Sequence, residues 1–499
     1  MLLDFIDLKN GSGAVYRRLY EALYTAIVNG VIKNGERLPS IREAAEQLSV
    51  SRTTVESAYL KLCIEGLAEG LPQRGYFIRT NPPQKPQRTE RIEKREMRYD
   101  FSGKKIDPAA ADTDLWKKTV REVLRDTEEL TSYGDPQGEP GLREVLADYS
   151  YKARGVITSA ENIIVGAGVG PLISILCGLM EKKRSVGIEG GSFDQAARVF
   201  ENHSIPCTAL KSDRNGVILN ELEDKDIGTL FLIPSRLAKI SITGLSSRRN
   251  AVADWVNAEN GRLIIEDDYN GELRRSARAV CAFQSKCPEK TVYIGSFSKL
   301  LLPSVRIAYM ALPASLAEKF RRSHGVYNQT CGKIEQLALQ NYISSGSLER
   351  HLRRLRKLNG IKSKCFFDAA DKYLPSARIT LFEPSLTVLL ETDTNKESGE
   401  LCAAAESRNI KLIPAEKNGA VSLCLSGIPE ADIAPALAEL RKIKQDNIKG
   451  RIPEFRSTVF LISFICYRML FPVEQKCLRC FAALLHPRLK FASFKLKPH

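Results

Sequence analysis

The chain has 499 residues, enough for about three domains of ordinary size, and its apolar content of 43% excludes a mainly disordered or fibrous protein. The 74 Lys and Arg against 59 Asp and Glu give a net charge of +15, which suits a nucleic-acid or acidic membrane partner but also serves solubility alone. The first residues carry acids instead of a basic and apolar leader, and the longest apolar run (459–467) is too short to cross a bilayer, so we expect a cytoplasmic protein with reduced cysteines and no membrane partner.

The first 80 residues have the pattern of a small helical unit. Apolar residues at helical spacing predict a helix over 16–29, and Ser40 with Glu43 forms a capping box that starts a second helix. Ser51 starts a third helix after a short turn, which is typical of a helix-turn-helix. Two short strands joined at Pro72–Gly75 would follow as a wing. From periodicity alone, a three-helix domain that binds protein remains an equal alternative.

Three segments of this unit carry more information than their periodicity. LPSIR at 38–42, SRTTV at 51–55 and EGL at 65–67 closely resemble the winged helix-turn-helix of the GntR family. The resemblance implies operator DNA as a partner, with hydroxyls and arginines at a helix start reaching phosphates and base edges and the wing entering the minor groove. The residues that would contact DNA are Arg42, Ser51, Arg52, Thr53, Thr54, Arg74 and Gly75.

Changes in composition divide the chain into four parts. Residues 1–80 form the helix-turn-helix unit, and residues 81–98, with three prolines and six basic residues, have the composition of a linker. Over 99–446, apolar runs alternate with helical stretches, which predicts an α/β domain with a mainly parallel sheet. The remainder, 451–499, is basic and aromatic. Its cysteine spacing fits no common zinc site, so we expect no metal there and assign this tail no role.

The most informative stretch of the large domain ends in Ser298 and Lys299. A lysine that follows small hydroxyl residues at the end of an apolar strand can form a Schiff base with an aldehyde, while the hydroxyls hold a phosphate. Arg306 could clamp that phosphate through two hydrogen bonds. About thirty residues upstream, another apolar strand ends at Asp267 and Tyr269, a carboxylate for a pyridine nitrogen and a phenol for a ring oxygen.

Together, and in this order, these residues resemble fold-type-I aminotransferases, whose cofactor is pyridoxal 5′-phosphate (PLP). The segment SYGDPQG at 132–138 with Leu142-Arg143 and the turn GAGVG at 166–170 extend the resemblance over about 99–444. It implies that Lys299 carries the Schiff base. The residues that would bind the cofactor are Asp267, Tyr269, Ser296, Ser298, Lys299, Arg306, Phe193, Val169 and Gly170.

The chain also departs from the aminotransferase pattern. A segment that normally ends in Pro-Thr/Ser-Gly reads Pro234 to Ser241 without them, and Ser422–Gly427 lacks the arginine that usually binds the substrate carboxylate. Arg236 or Arg198 could replace that arginine. A site that keeps the aldehyde-binding lysine and loses the substrate clamp favours sensing over catalysis, because transamination depends on orienting the substrate.

A GntR-like head joined to such a domain is the MocR architecture, so the resemblance predicts a homodimeric transcriptional regulator that senses an amino compound or PLP. An active aminotransferase with a DNA-binding head is the first alternative. A DNA-binding protein that has lost the cofactor is the second.

Overall fold

The computed structural model describes residues 3, 6, 8, 13–79, 97–181, 184–189, 194–213, 216–234, 242–274, 281–323, 326–392, 396–415 and 418–448. Of residues 127, 194, 242–246 and 443–448 it describes the backbone alone. The predicted linker 81–98 falls almost entirely outside these ranges, and the predicted tail 451–499 falls wholly outside them. The chain divides into two compact units, residues 1–95 and 96–499.

The first unit is a three-helix fold with a two-stranded wing. Its elements are α1 (Val15–Val28), α2 (Ile41–Leu48), α3 (Arg52–Ile64), β1 (Ala68–Leu71) and β2 (Gly75–Ile78). The predicted capping box starts α2: the Ser40 hydroxyl accepts from the Glu43 amide at 3.2 Å, and the Glu43 carboxylate accepts from the Ser40 amide at 2.9 Å. Apolar residues of all three helices and both strands bury one common core. The sequence prediction of a winged helix-turn-helix is confirmed.

The second unit begins with β3 (Tyr99–Asp100) and continues with helices and strands in alternation. The helices are α4 (Thr113–Val123), α5 (Thr127–Leu130), α6 (Pro140–Arg154), α7 (Val169–Leu179), α8 (Asp194–Asn202), α9 (Asn220–Asp224), α10 (Ile242–Asn257), α11 (Ala314–Arg322), α12 (Lys333–Ser344), α13 (Ser347–Tyr373), α14 (Ser398–Ser407) and α15 (Glu430–Ile448). The strands are β4 (Ile163–Gly166), β5 (Ser185–Glu189), β6 (Cys207–Leu210), β7 (Ser212–Asp213), β8 (Gly216–Val217), β9 (Ile227–Leu232), β10 (Leu263–Asp267), β11 (Thr291–Ser296), β12 (Ala308–Ala311), β13 (Arg378–Phe382), β14 (Thr387–Glu391), β15 (Ile410–Lys411), β16 (Ile413–Pro414) and β17 (Ala420–Cys424).

A seven-stranded sheet, ordered β4-β12-β11-β10-β9-β5-β6, forms the centre of this unit. All neighbouring pairs are parallel except those of β12, which runs antiparallel to β11 and β4. Its inner strands β9, β10 and β11 are mostly apolar and are buried along almost their whole length, because helices cover both faces. The predicted α/β class with a mainly parallel sheet is therefore confirmed.

A smaller antiparallel sheet, β13-β14-β17-β16, packs with α13, α14 and α15 around a separate apolar core. The strand β3, which directly follows the predicted linker, pairs with β15 beside this sheet. The amide of Cys424 also bonds to the carbonyl of Phe101 at 2.9 Å. The first residues of the second unit are therefore bonded to the smaller sheet. Across the part of the chain described, no helix is both long enough and apolar enough to span a bilayer.

Candidate functional site

The carboxyl ends of two neighbouring parallel strands bring several predicted residues to one edge of the large sheet. Asp267 is the last residue of β10 and pairs in register with Ile294 of β11, which ends at Ser296. Side chains at this edge of an open α/β sheet lie where such folds bind ligands. Asp267 is buried, whereas Tyr269, two residues later, is half-buried and packs against the apolar core.

Lys299 follows β11 by three residues, and its side chain is half-buried between the two sheets. Its Nζ donates to the carbonyl oxygen of Gly103 and to the Ser426 hydroxyl, at 3.4 Å for the latter. A Cβ added to Gly103 would lie 2.9 Å from the Cys424 Sγ and 3.7 Å from Nζ. The lysine therefore lies in a narrow space between the first residues of the second unit and the end of β17.

Three predicted elements converge beside the start of α7. Gly168 precedes this helix with a φ of +105°, and a Cβ there would lie 2.5 Å from Nη2 of Arg306. Nη1 of the same guanidinium donates to the Ser298 hydroxyl at 3.2 Å. The start of α7, the Arg306 guanidinium and the Ser298 hydroxyl together form a donor set that fits a phosphate. A glycine before the helix leaves room for that group. Val169 and Gly170 form the first turn of that helix, as the sequence predicts.

Behind the strand end lies a buried cluster of charges. Arg154 of α6 donates to Asp268 at 2.5 Å, with both side chains almost fully buried. Burial is the largest single influence and opposes the charge of Arg154, but Asp268, Tyr293 and Glu272 together outweigh it, so the pKa of the guanidinium is raised. Burial, reinforced by the negative charge of Asp268, raises the pKa of both Glu266 and Glu272 to about 7. Tyr293 donates to Asp268 at 3.0 Å. These bonds fix the end of β10, which carries Asp267.

The described part of the chain does not place every predicted residue in this site. Phe193 and the segment 235–241, with Arg236, lie outside the described residues. Arg198 is exposed on α8. Arg198 is also not one of the residues that line the cavity beside Lys299.

Sequence reasoning missed three residues of the site. Gly103 and Ser426, the bonding partners of Lys299, lie 196 and 127 positions away from it, so spacing gives no signal of their proximity. Asn270 follows Tyr269 directly and lines a cavity with Lys299 and Ser426. Its φ is +59°, a conformation that asparagine tolerates better than most residues. The residue type is therefore the one sequence signal that could have singled it out.

In the first unit, some residues predicted to contact DNA already form hydrogen bonds or ion pairs within the protein, and others are exposed. The Ser51 hydroxyl accepts from the Thr54 amide at 3.2 Å and lies 2.8 Å from the hydroxyls of both Thr53 and Thr54, so this group caps α3. Arg52 is exposed at the first position of that helix, and Arg42 is exposed but paired with Glu46 at 3.0 Å.

The wing carries Arg74 at an exposed turn position and Gly75 at a φ of +95°. A Cβ at Gly75 would lie 3.2 Å from Nε of Arg37, so the exposed Arg37 side chain lies against the wing beside its turn. Sequence reasoning did not single out this arginine, because it lies in the loop before the LPSIR segment.

Comparison with known proteins agrees with this division of the chain. Residues 15–78 match the family model for bacterial regulatory proteins of the gntR family, and residues 102–357 match that for aminotransferase class I and II. The HTH-type transcriptional regulator YdeL of Bacillus subtilis is 31% identical over 446 residues, which cover 86% of this chain and 96% of YdeL. The pyridoxine biosynthesis regulator PdxR of Corynebacterium glutamicum is 29% identical over 68% of this chain and 75% of its own length. The probable rhizopine catabolism regulator MocR of Rhizobium meliloti is 27% identical over 72% and 78%.

The chain belongs to the MocR-type transcriptional regulators. Its sequence resemblance to that family is thereby confirmed, and it is a regulator in which a GntR-type head is joined to an aminotransferase-like domain. Among solved structures, an archaeal alanine:glyoxylate aminotransferase matches with a TM-score of 0.63 at 19% identity, over 71% of this chain and 92% of that one. At that identity the match shows the fold of the second unit.

Proposed function

We propose that this regulator binds PLP through Lys299 and senses an amino compound, or PLP itself, while its head is bound to operator DNA. We further propose that it acts in the cytoplasm as a homodimer, which would suit operators built from paired half-sites. The family resemblance supports the dimer and the cytoplasmic location. The geometry at the edge of the large sheet supports the cofactor.

Each cofactor contact has a chemical role that its residue can fill. Asp267 would hold a proton on the pyridine nitrogen, and Tyr269 would donate to the ring oxygen. The phosphate would lie between the start of α7, Ser298 and Arg306, with Ser296 at the same strand end. The contributions of Phe193, Val169 and Gly170 stay predictions. When bound, PLP supplies an aldehyde carbon that a lysine or another primary amine can hold as a Schiff base.

The observation that carries the sensing proposal is the contact from Lys299 to the carbonyl oxygen of Gly103. Gly103 follows β3 by three residues, and β3 is the first element after the predicted linker to the head. A nitrogen joined covalently to a cofactor has fewer protons to donate and less freedom to reach that carbonyl. The bond from Nζ to Gly103 therefore depends on whether Lys299 or another amine holds the cofactor. A ligand that binds two such states differently shifts their populations.

The chain's other residues in this region suit a sensor better than a catalyst. The Nζ of Lys299 donates to the Ser426 hydroxyl at 3.4 Å. No arginine lies among the described residues that line the cavity beside Lys299, so the described cavity lining offers no arginine clamp for a substrate carboxylate.

The test is a gel-shift titration of the full chain, loaded with PLP, on DNA from beside its own gene at low salt. We expect binding that changes on adding primary amines, together with a visible absorbance band that shifts with them. Lys299→Ala should lose the visible band and the response to amines but keep DNA binding. The control is Arg17→Ala, in the head, which should keep the band, the response to amines and DNA binding.

Each alternative gives a different result. Absence of DNA binding at low salt would contradict the whole proposal. Net formation of pyridoxamine phosphate at enzymatic rates would make the protein an active aminotransferase. A chain without a visible band, unchanged by Lys299→Ala, would be a DNA-binding protein that has lost the cofactor.

A further inference from the structure

A small cavity opens beside Lys299, between the large sheet, α13 and the smaller sheet. Its volume is about 30 Å³, roughly the space of one or two water molecules, which is enough for the end group of a ligand. One side is apolar, with Leu273, Leu301 and Leu355. The polar lining comes from Asn270, Asn359, Lys362, Ser385 and Ser426, besides Lys299 itself.

Among the described residues that line the cavity, none offers a free positive charge to a carboxylate once Lys299 is engaged. Lys362 lines the cavity, but its Nζ is 2.7 Å from Oδ2 of Asp107, and both side chains are at least 95% buried. Asp107 also accepts from the Ala109 amide at 2.9 Å, which holds it in place. A carboxylate entering the cavity would lie buried beside an ion pair that is already neutral, and an uncompensated buried charge is strongly disfavoured.

Asn270 offers a hydrogen-bond acceptor for a ligand that carries a donor. The residue is 4% exposed, and its Oδ1 is buried without a hydrogen-bond partner among the described residues. A buried amide oxygen without a partner costs free energy that a ligand donor can recover. A hydroxyl group suits this position in particular, because it donates and accepts and therefore bonds an asparagine amide in either orientation.

We propose that this cavity selects effectors with a hydroxyl group where an amino acid carries its carboxylate, that is, small amino alcohols. The inference rests on the proposed function, because the ligand's amino group is taken to react with the cofactor held by Lys299. The hydroxyl enters the cavity and donates a hydrogen bond to Oδ1 of Asn270, and the serine hydroxyls can complete its other hydrogen bonds. Asn270 is then a specificity-determining residue.

The experiment compares 2-aminopropan-1-ol with L-alanine, which differ in a hydroxymethyl group against a carboxylate. Each is titrated into the full chain loaded with PLP, and binding is read both from the shift of the visible band and from the rise in melting temperature. We expect the amino alcohol to bind about tenfold more tightly, or better, as rejection of a buried unpaired charge predicts. Asn270→Ala should weaken its binding about fivefold or more and leave that of L-alanine unchanged.

The matched control is Asn409→Ala. Both asparagines have a φ of +59°, so the two substitutions impose the same backbone strain, but Asn409 does not line the cavity. Equal or tighter binding of L-alanine would overturn the inference and leave the proposed function standing, since the band would still report the cofactor. Equal effects of the two alanine variants would also overturn it. A missing band, or one retained in Lys299→Ala, would overturn the proposed function and the inference with it.

Discussion

At the scale of single residues, the predictable part of the site is the part that local pattern encodes. Asp267, Ser296 and Ser298 stand at or just after the ends of apolar runs, so the strand pattern alone predicts that they meet at one sheet edge. Gly103 and Ser426 have no such marker. Their proximity to Lys299 arises from the packing of two sheets, which the sequence does not state locally.

Gly168 permits the sharpest test at this scale. Alanine there would have to adopt a φ of +105°, and its Cβ would lie 2.5 Å from Nη2 of Arg306, so the guanidinium must move. If this group holds the cofactor phosphate, we expect Gly168→Ala to weaken PLP binding about tenfold, or about 1.4 kcal/mol. Titration of the visible band with PLP measures this change.

The control for that substitution is Gly399→Ala. Gly399 lies in α14, where an added Cβ meets no atom within 4 Å. Alanine should leave PLP binding unchanged and stabilise the fold by up to about 1 kcal/mol. Unchanged PLP affinity in Gly168→Ala would show that neither the start of α7 nor Arg306 holds the phosphate.

At the scale of elements, the buried charge cluster ties α6 to the end of β10. Sequence pattern predicts both elements, yet it does not predict that Arg154 and Asp268 meet, because each reads as a surface charge in its own segment. The contact also brings Glu266 and Glu272 close to Asp268, so three carboxylates are buried together and the pKa values of the two glutamates rise to about 7. The stability of the contact between α6 and β10 therefore depends on whether these two glutamates are protonated.

This cluster predicts a pH-dependent stability with a definite sign. Between the unfolded pKa near 4.5 and the folded pKa of about 7, the folded chain retains protons that the unfolded chain releases. Stability from these groups is thus present at low pH and is lost as the pH rises through 7. Glu272→Gln, which is neutral at every pH, should match wild-type stability near pH 5 and exceed it by about 1 kcal/mol or more near pH 8. Urea unfolding at both pH values measures the difference.

Glu221→Gln provides the control with the opposite sign. A hydrogen bond from Lys225 lowers the pKa of Glu221, so its contribution is present at neutral pH and is lost on acidification. That variant should gain nothing relative to wild type as the pH rises. A pH-independent effect of Glu272→Gln would mean that Glu272 is ionised in the folded protein throughout this range.

At the scale of the whole molecule, the net positive charge is distributed unevenly along the chain. Residues 1–80 hold ten Lys and Arg against nine Asp and Glu, whereas residues 451–499 hold nine against two. The +15 therefore says little about the head, so we expect recognition of DNA there to depend on a few positioned side chains. The sequence predicted both units and their order because each has a distinctive motif set. It could not predict that Lys299 contacts Gly103 and Ser426, since these contacts join segments that are far apart in the sequence.

A nearly neutral head makes DNA binding sensitive to single arginines. Arg52 is exposed at the start of α3, so Arg52→Ala should cost about 1–3 kcal/mol on the operator if it reads a base, with reduced discrimination between sequences. If it contacts only phosphate, affinity should fall on all sequences and the slope against log salt should drop by about one. Arg17→Ala removes the same charge from an exposed position on α1 and should change neither quantity. Fluorescence anisotropy of the full chain on operator and scrambled DNA, over a range of salt, separates these outcomes. A loss in Arg17→Ala equal to that in Arg52→Ala would mean that net charge alone drives the binding.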